Sequence, residues 1–576
     1  MFIQHHRPHP MPAPHRLVLT LLLGVAPVRL AAQAHEHAAS AAPAASPVTA
    51  PRPAAPAIAL FDNLGTHGRP LGGVSAAAQR WFDQGLRLAW AFGHDEAVMS
   101  FKEGIAADST CAMCWWGVAW ARGPYLNDPE SDSTRLAEAH VAIGRAQALA
   151  SRAKPADRAL IAAMATRYAA VPDTGRRRAL DTAYATAMAS VAARFPADDE
   201  VQALLGEARL ILAGWDGMYT RDRRPLPGAA AVLAPFETVL ARTLRHPGAC
   251  HLYIHATEEG PEPGKAERCA ELLGDGMPGA SHMLHMPSHV YHRLGRWGDA
   301  VRANQRAMMA DQHGLAGGVP GVYPQHNLGM LVGGAVMDGQ GAVALDALRS
   351  LARQTPSYDA LVMVALVRFG RWSDVRAVRP RTDSPVIAAW SAVALGLALL
   401  DSALTGPARS QLDVVDALLQ AAQRRSALAA RDSAGMERAA LDRHRITIAR
   451  GILAGELEAA RGRIDSAVVA LEEAVAAEDS LPYEEHDLWL LPPRHVLAGV
   501  LLDGARAADA ERVLRADLAK RPHNGWALRG LQQALATQGK VDEAARVQKE
   551  FDVAWSRADT WLPGPRLRPG ARVSRR

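Results

Sequence analysis

The chain has 576 residues, of which 49% are hydrophobic and 21% are charged. This length exceeds that of one ordinary domain and the apolar content excludes a disordered chain, so several domains or one repetitive array are expected. The net charge of +5 comes from the chain ends. Three arginines lie before Leu30 and five after Pro563, and together their charge exceeds the net charge of the whole chain. The rest of the chain is slightly acidic, which argues against a nucleic-acid partner.

The N-terminal residues have the pattern of a secretory leader. An apolar stretch from Leu17 to Val28 precedes Ala32-Gln33-Ala34, a small-x-small cleavage pattern. We therefore expect a signal peptide over 1–34 and a periplasmic or secreted protein. The apolar stretch is too short to span a bilayer, and no later segment is long and uncharged enough, so no membrane span is expected. Residues 35–58, rich in Ala and Pro, predict a disordered linker.

From residue 59 the chain alternates amphipathic helical stretches with short turns and repeats itself about every 34 residues. Alanines of the tetratricopeptide pattern recur at this interval, as at Ala266 and Ala300 and at Ala510 and Ala544. The pattern predicts an all-α fold, a tetratricopeptide-repeat solenoid whose helical hairpins stack into a right-handed superhelix with a concave groove. The predicted parts are N-terminal repeats (59–245), central histidine-rich repeats (246–345), C-terminal repeats (346–562) and a disordered basic tail (563–576).

Four cysteines in an exported protein favour two disulfides, for which three pairings are possible. Proximity along the chain favours Cys111 with Cys114 and Cys250 with Cys269. A haem-attachment motif would need a histidine after Cys114, where Trp115 stands, and no thioredoxin-like βαβ pattern surrounds the pair. A structural role is the preferred interpretation.

Histidines are concentrated in the central part, where seven of the 22 fall within 47 residues although a uniform spread would place about two there. The repeat register explains their spacing if Pro247 and Ser281 are the first residues of successive repeats. The second, fifth, ninth and twelfth residues of each first helix then face the groove. In this register the facing pairs are His251 with His285, His255 with His289 and Glu258 with His292, and His326 takes the place of His282 in the next repeat.

Neutral imidazoles and carboxylates bind borderline divalent metals, and histidines four residues apart present two ring nitrogens on one side of a helix. There are more imidazoles than one tetrahedral ion uses, so either two ions bind or the extra histidines orient the ligands and carry protons. We hypothesise a site for zinc, copper or iron. The alternative is a set of solvated groove residues, which is usual for single histidines. The predicted ligands are His251, His255, Glu258, His282, His285, His289, His292 and His326.

Pro287 lies inside the helix that carries half of these ligands. It lacks an N–H and predicts a kink or a restart of that helix, which makes His282 and His285 the weaker candidates. Such a departure from a regular repeat is more expected at a functional site than in a passive repeat.

Several motifs together resemble a known family, namely one of large exported bacterial tetratricopeptide-repeat proteins. The resemblance covers most of the chain and implies the same repeat fold and export, without implying a reaction. The motifs that carry it are Cys111-Ala112-Met113-Cys114-Trp115-Trp116, His251-x-Tyr253-Ile254-His255, His285-Met286-Pro287-Ser288-His289 and Asn524-Gly525-Trp526.

Two functions of different classes fit these features. The first is a binding or scaffold protein whose concave groove receives a protein, a peptide or a small-molecule ligand, with the metal organising the site. The second is a periplasmic metal-dependent enzyme, a hydrolase or an oxidoreductase, in which Glu258 or Glu259 acts as ligand or general base. The first is slightly favoured, because repeats of this kind usually bind partners.

Overall fold

The computed structural model describes residues 58–171, 174–382, 384–428, 433–485 and 490–567. The predicted signal peptide and all but the last residue of the predicted linker lie outside these residues. The described residues form α-helices joined by turns and short 3-10 helices, and β-pairing among them is limited to two isolated bridges. The structure confirms the predicted all-α fold of tetratricopeptide type.

The first twelve helices in chain order are α1 (Ala76–Trp90), α2 (His94–Ala107), α3 (Ala112–Arg122), α4 (Ser133–Leu149), α5 (Pro155–Ala165), α6 (Arg177–Arg194), α7 (Asp199–Ala213), α8 (Ala229–Leu240), α9 (Pro247–Glu258), α10 (Glu267–Gly276), α11 (Ser281–His285) and α12 (Pro287–Leu294). The later helices are α13 (Trp297–Leu315), α14 (Pro324–Met337), α15 (Gly341–Gln354), α16 (Asp359–Arg368), α17 (Trp372–Val375), α18 (Pro385–Asp401), α19 (Thr405–Leu428), α20 (Ser433–Ala460), α21 (Ile464–Asp479), α22 (Pro493–Asp503), α23 (Ala507–Lys520), α24 (Gly525–Thr537) and α25 (Val541–Ala554).

Consecutive helices pack as hairpins, and small residues let them approach closely. Among the first three helices, the buried ring of Phe101 on α2 lies between Gly85 on α1 and Gly117 on α3. A Cβ atom at either glycine would lie 2.6 Å from this ring, well inside van der Waals contact. Glycine at these two repeat positions is therefore required by the packing of the phenylalanine.

The buried apolar residues form two large cores. One contains residues from Leu64 to Val319, and the other contains residues from Val301 to Val547. Helices α9, α11 and α12 contribute to the first core and α14 contributes to the second. The predicted metal ligands lie on these four helices, so the site is built where the two cores meet.

The C-terminal helices pack against the central ones. Nε1 of Trp297 donates a hydrogen bond to the carbonyl of Pro522 at 2.9 Å, and Nε1 of Trp526 donates to the carbonyl of Val336 at 2.8 Å. Asp338 is buried and forms an ion pair with Arg557 at 2.6 Å. These contacts join segments about 200 residues apart in sequence, an arrangement that a fixed repeat interval does not predict.

Several local predictions are tested by the structure. Cys111 is bonded to Cys114 and Cys250 to Cys269, as predicted. The helix restarts at Pro287: α11 ends at His285 and α12 begins at the proline, while Met286 keeps helical dihedral angles. In the described residues, no helix has the length and apolar composition needed to cross a bilayer.

The predicted tail differs from the structure in its first residues. Arg566 is buried and forms ion pairs with Glu456 and Asp503, each at 3.0 Å. Packing therefore continues to Leu567, beyond the predicted boundary at residue 563. The sequence did not predict this because the tail was judged from its composition, whereas its arginine has carboxylate partners on distant helices.

Candidate metal centre

The structure brings six of the predicted ligands into two groups of three histidines. Each residue of a group offers one ring nitrogen, and these three nitrogens lie within 4.8 Å of one another. The side chains are buried except for His326, which is partly exposed. Helices α9 and α11 supply the first group, whereas α11, α12 and α14 supply the second. The first group is His251, His255 and His282, and the second is His285, His289 and His326.

The two groups adjoin each other. The ring centres of His255 and His289 lie 5.4 Å apart, as the repeat register predicts for this pair. Those of His282 and His285, which are neighbours on one helix, lie 5.7 Å apart. The six imidazoles thus form one continuous cluster in which the two groups adjoin.

The other two predicted pairs differ from the structure by about one helical turn. Nε2 of His251 lies 3.0 Å from Nε2 of His282, and Oε2 of Glu258 lies 2.5 Å from Nδ1 of His289. The repeat interval had paired these residues with His285 and His292. The interval aligns backbone positions and does not fix the direction in which each side chain leans along its helix.

Outer hydrogen bonds fix the orientation of two of the imidazoles. Nδ1 of His251 lies 2.6 Å from the carbonyl of Trp90, and Nδ1 of His285 lies 2.7 Å from Oδ1 of Asn304. The amide of Asn304 donates to the carbonyl of Ala300, so its oxygen faces the histidine. Because both oxygens only accept, each Nδ1 carries the proton and each Nε2 presents a lone pair to the cluster.

The inner ring nitrogens are close together and short of hydrogen-bond partners. Nε2 of His285 lies 2.9 Å from Nε2 of His289. Both ring nitrogens of His255 and Nδ1 of His282 are buried without a hydrogen-bond partner among the described residues. Each such group costs about 1–3 kcal/mol if it stays unsatisfied, which is rare in folded proteins. A cation in the cluster would bind one ring nitrogen of each histidine and so satisfy part of this set.

Burial keeps most of these imidazoles neutral. It lowers the pKa of His251, His282 and His285 well below the ordinary range, and the neighbouring histidines lower it further. Burial also lowers the pKa of His255. A neutral imidazole is the form that binds metal, so these residues are prepared as ligands without an energetic cost of deprotonation at neutral pH.

Two carboxylates surround His289. Oε2 of Glu258 and Oε1 of Glu485 lie 2.5 and 3.5 Å from its Nδ1, and Oε2 of Glu485 lies 3.2 Å from Nε2 of His326. Burial lowers the pKa of His289, but the two carboxylates outweigh burial and raise it. The two carboxylates thus favour the protonated ring of His289. Nδ1 faces Glu258, so Nε2 is the nitrogen that lies toward the cluster.

The sequence did not predict Glu485 as a site residue. It lies in the segment after α21, outside any repeated helix, and reaches the cluster from the C-terminal part of the chain. With Glu258 and His289 it forms another group of donor atoms within 4.8 Å. The only sequence signal was its acidic segment, Tyr483-Glu484-Glu485, which a single sequence does not place in space.

His292 is placed differently from the other predicted ligands. Its side chain is buried, with its ring centre 5.4 Å from that of Trp297. It lines a cavity beside the cluster and belongs to none of the groups of converging donor atoms found in the described residues.

Two aromatic residues with unusual backbone angles enclose the cluster. Phe92 and Tyr323 have φ angles of 61° and 56°, a left-handed conformation that is rare for bulky residues. The ring of Phe92 lies 4.4 Å from that of His251, and both aromatic rings contact His282. Strained residues of this kind are concentrated at functional sites. The histidines are therefore enclosed by aromatic rings, whereas the sequence predicted an open groove surface.

A further group, His67, Glu200 and His246, has a different character. Glu200 accepts a hydrogen bond from Nε1 of Trp90 at 2.6 Å and lies 3.0 Å from Nε2 of His67. Nδ1 of His246 accepts the N–H of Ala249 and caps α9. Because hydrogen bonds within the protein satisfy most of these atoms, the group is explained as a buried polar network that supports Trp90.

Comparison with protein-family models and with curated proteins finds no match. Solved structures that resemble this chain include the human IFIT1 dimer with m7Gppp-AAAA (12% identity, 83% of this chain and 90% of that chain, TM-score 0.30) and yeast Tom70 (11%, 83% and 92%, TM-score 0.26). Ypp1 is another (7%, 84% and 81%, TM-score 0.38). These similarities are too remote to transfer a ligand or an activity.

Proposed function

We propose that this protein binds transition-metal ions in the buried histidine cluster, one ion in each group of three histidines. The observation that carries the proposal is the convergence of three ring nitrogens in each group, with Nε2 of His251 and of His285 directed inward by Trp90 and Asn304. Imidazole nitrogen suits zinc, copper and iron alike, so these nitrogen donors indicate a transition metal of this class.

The first ion would be held by His251, His255 and His282, and the second by His285, His289 and His326. Glu258 and Glu485 would orient His289 and balance the positive charge, since both carboxylates lie within 3.5 Å of its Nδ1. Phe92 and Tyr323 would keep bulk water from the ligands.

We further propose that the centre is catalytic, as a hydrolase or an oxidoreductase. A structural zinc site is closed by four protein ligands, whereas a catalytic site has three and keeps a position open for substrate. Each histidine group offers three nitrogens. A metal of this class supplies Lewis acidity, and copper or iron also exchanges electrons. The chain itself orients the ligands, holds a proton at Nδ1 of His289 and limits the entry of water.

The scaffold function stays a second candidate. Five of the six histidines are buried and leave little surface on which a peptide could lie, so a protein or peptide partner would dock on another face of the repeats. Export to the periplasm or the medium also remains our proposal, supported by the two disulfides, which persist in oxidising compartments.

The test is the metal content of the protein purified without chelators, measured by elemental analysis alongside single alanine variants. We expect His255→Ala and His289→Ala each to lose metal, because they remove a ligand from different groups. His313→Ala, on the exposed side of α13, is the matched control and should retain it. Equal metal content in all three variants would refute the proposed site.

A further inference from the structure

A cavity of about 250 Å³ lies beside the histidine cluster. Segments distant in sequence line it, among them the turn before α8, the end of α12, the end of α14, residues 481–485 and the end of α23. Glu485 belongs both to the wall of this cavity and to the cluster, where it reaches His289 and His326. A molecule in the cavity would therefore lie next to the proposed metal centre.

Every acidic side chain of the cavity wall has a basic partner. Glu478 is paired with Arg494 and Arg521, each at 2.6 Å, and Asp479 is paired with Arg494 at 2.5 Å. The remaining two are Glu484, which lies 2.6 Å from Arg445, and Glu485, which contacts His289 and His326.

Three arginines of the same wall have no carboxylate partner among the described residues: Arg221, Arg223 and Arg293. The guanidinium of Arg293 donates to the carbonyls of Glu258 and Gly260 at the end of α9. That of Arg223 is partly buried and makes no hydrogen bond or ion pair with the described residues. Burial and the nearby Arg293 lower the pKa of Arg223, although Tyr483 and Glu259 oppose this.

A hydroxyl group completes this wall. The Oη atom of Tyr483 is buried and has no hydrogen-bond partner in the part of the chain that the structure describes. Its ring lies 5.4 Å from the guanidinium carbon of Arg293, which holds the aromatic side chain in place. The hydroxyl of Tyr483 and the guanidinium of Arg223 are therefore donors without an acceptor among the described residues.

We infer that this cavity binds the carboxylate or phosphate group of a small anionic molecule, with Arg223 and Tyr483 as donors and Arg221 and Arg293 supplying positive charge. A guanidinium group matches the oxygens of either anion in a bidentate arrangement. The role of this anion as substrate of the metal centre rests on the proposed function. Its binding to the arginines does not.

The experiment is calorimetric titration of the purified protein with succinate in one arm and with inorganic phosphate in the other. We expect at least one of them to bind, and Arg223→Gln to weaken that binding by about tenfold or more, because a partly buried charge pair is lost. Arg224→Gln is the matched control, since Arg224 is exposed and already paired with Asp222. It should change the affinity by less than about twofold.

Tyr483→Phe is a second variant that removes only the hydroxyl, in case Arg223→Gln disturbs the local turn. It should weaken binding by about threefold to tenfold. The arm that binds identifies the anion as carboxylate or phosphate. Absence of binding in both arms, or an equal loss in Arg223→Gln and Arg224→Gln, overturns the inference.

Elemental analysis of the same samples separates this inference from the proposed function. Arg223→Gln should keep its metal while losing the anion. If the protein binds an anion but contains no metal, the metal centre alone is refuted. If the protein contains metal but binds neither succinate nor phosphate, the anion site alone is refuted.

Discussion

The imidazole of His285 is held by Asn304, whose Oδ1 lies 2.7 Å from Nδ1 of the histidine. Both side chains are fully buried, and Asn304 comes from α13, outside the predicted set of ligands. The asparagine fixes which ring nitrogen carries the proton and therefore which one faces the cluster.

Asn304→Ala should lower the metal affinity of the protein by about 10–100-fold, because losing a residue that hydrogen-bonds and orients a metal-binding histidine typically has an effect of this size. Asn304→Asp keeps an acceptor at the same place and should retain most of the affinity. Competition with a chromophoric chelator measures both. Equal affinities of the alanine variant and the unaltered protein would contradict the assigned role of the asparagine.

The disulfide between Cys250 and Cys269 should stabilise the site-bearing helix α9, since Cys250 directly precedes His251. Replacing both cysteines by alanine should lower the free energy of unfolding by about 3 kcal/mol through loss of the loop constraint. The double variant of Cys111 and Cys114, whose bond closes a much shorter loop, should lose about 2 kcal/mol. Denaturant unfolding measures the two variants, and a larger loss at the shorter loop would contradict this account.

Gly248 lets α9 lie against Trp90. A Cβ atom at residue 248 would lie 2.2 Å from the indole ring of Trp90. The backbone carbonyl of Trp90 also forms the hydrogen bond that orients His251. Gly248→Ala should therefore destabilise the protein by about 1–3 kcal/mol and reduce its metal content. Gly144, inside α4, has nothing within 4 Å of its Cβ position.

Gly144→Ala is the matched substitution and should stabilise the protein by about 1 kcal/mol through helix propensity alone. Thermal unfolding of the two variants distinguishes the two effects. Equal stability changes in the two alanine variants would contradict the close packing of α9 on Trp90.

Glu207 should make stability fall as pH rises. Burial raises its pKa to about 7, although Arg167 and a 2.9 Å hydrogen bond from Trp120 oppose this. Between the ordinary carboxyl pKa and about pH 7 the folded chain holds a proton that the unfolded chain has released, so the free energy of unfolding decreases with pH.

Glu207→Gln removes this dependence and keeps an acceptor for Trp120. The variant should match the unaltered protein at about pH 4 and exceed its stability by up to about 3 kcal/mol at about pH 8. The exposed Glu130→Gln is the control and should show no such difference. Denaturation curves across this pH range test the sign, and an equal pH dependence in Glu207→Gln and the unaltered protein would contradict it.

The repeat register predicted the fold and part of the site. It placed His255 beside His289 because a repeat of constant length stacks equivalent helices at equivalent positions. It also located the histidines that belong to one cluster, including His326 after the ten-residue insertion. These are properties of local spacing, which a single sequence contains.

The rest of the site depends on contacts that spacing does not encode. Glu485 reaches His326 because the C-terminal helices pack on the central ones, and the repeat interval predicts no such return. Phe92 adopts a left-handed conformation at the turn between α1 and α2, where propensity alone disfavours a bulky residue. His251 meets His282, about one helical turn from the partner that the repeat interval predicts.

The most direct test of the metal centre is elemental analysis of the protein purified without chelators from a metal-replete culture. The account predicts about two equivalents of transition metal per chain, since each three-histidine group takes one ion. Less than about a tenth of an equivalent would contradict it, because groups of three converging imidazoles should retain their ions through purification.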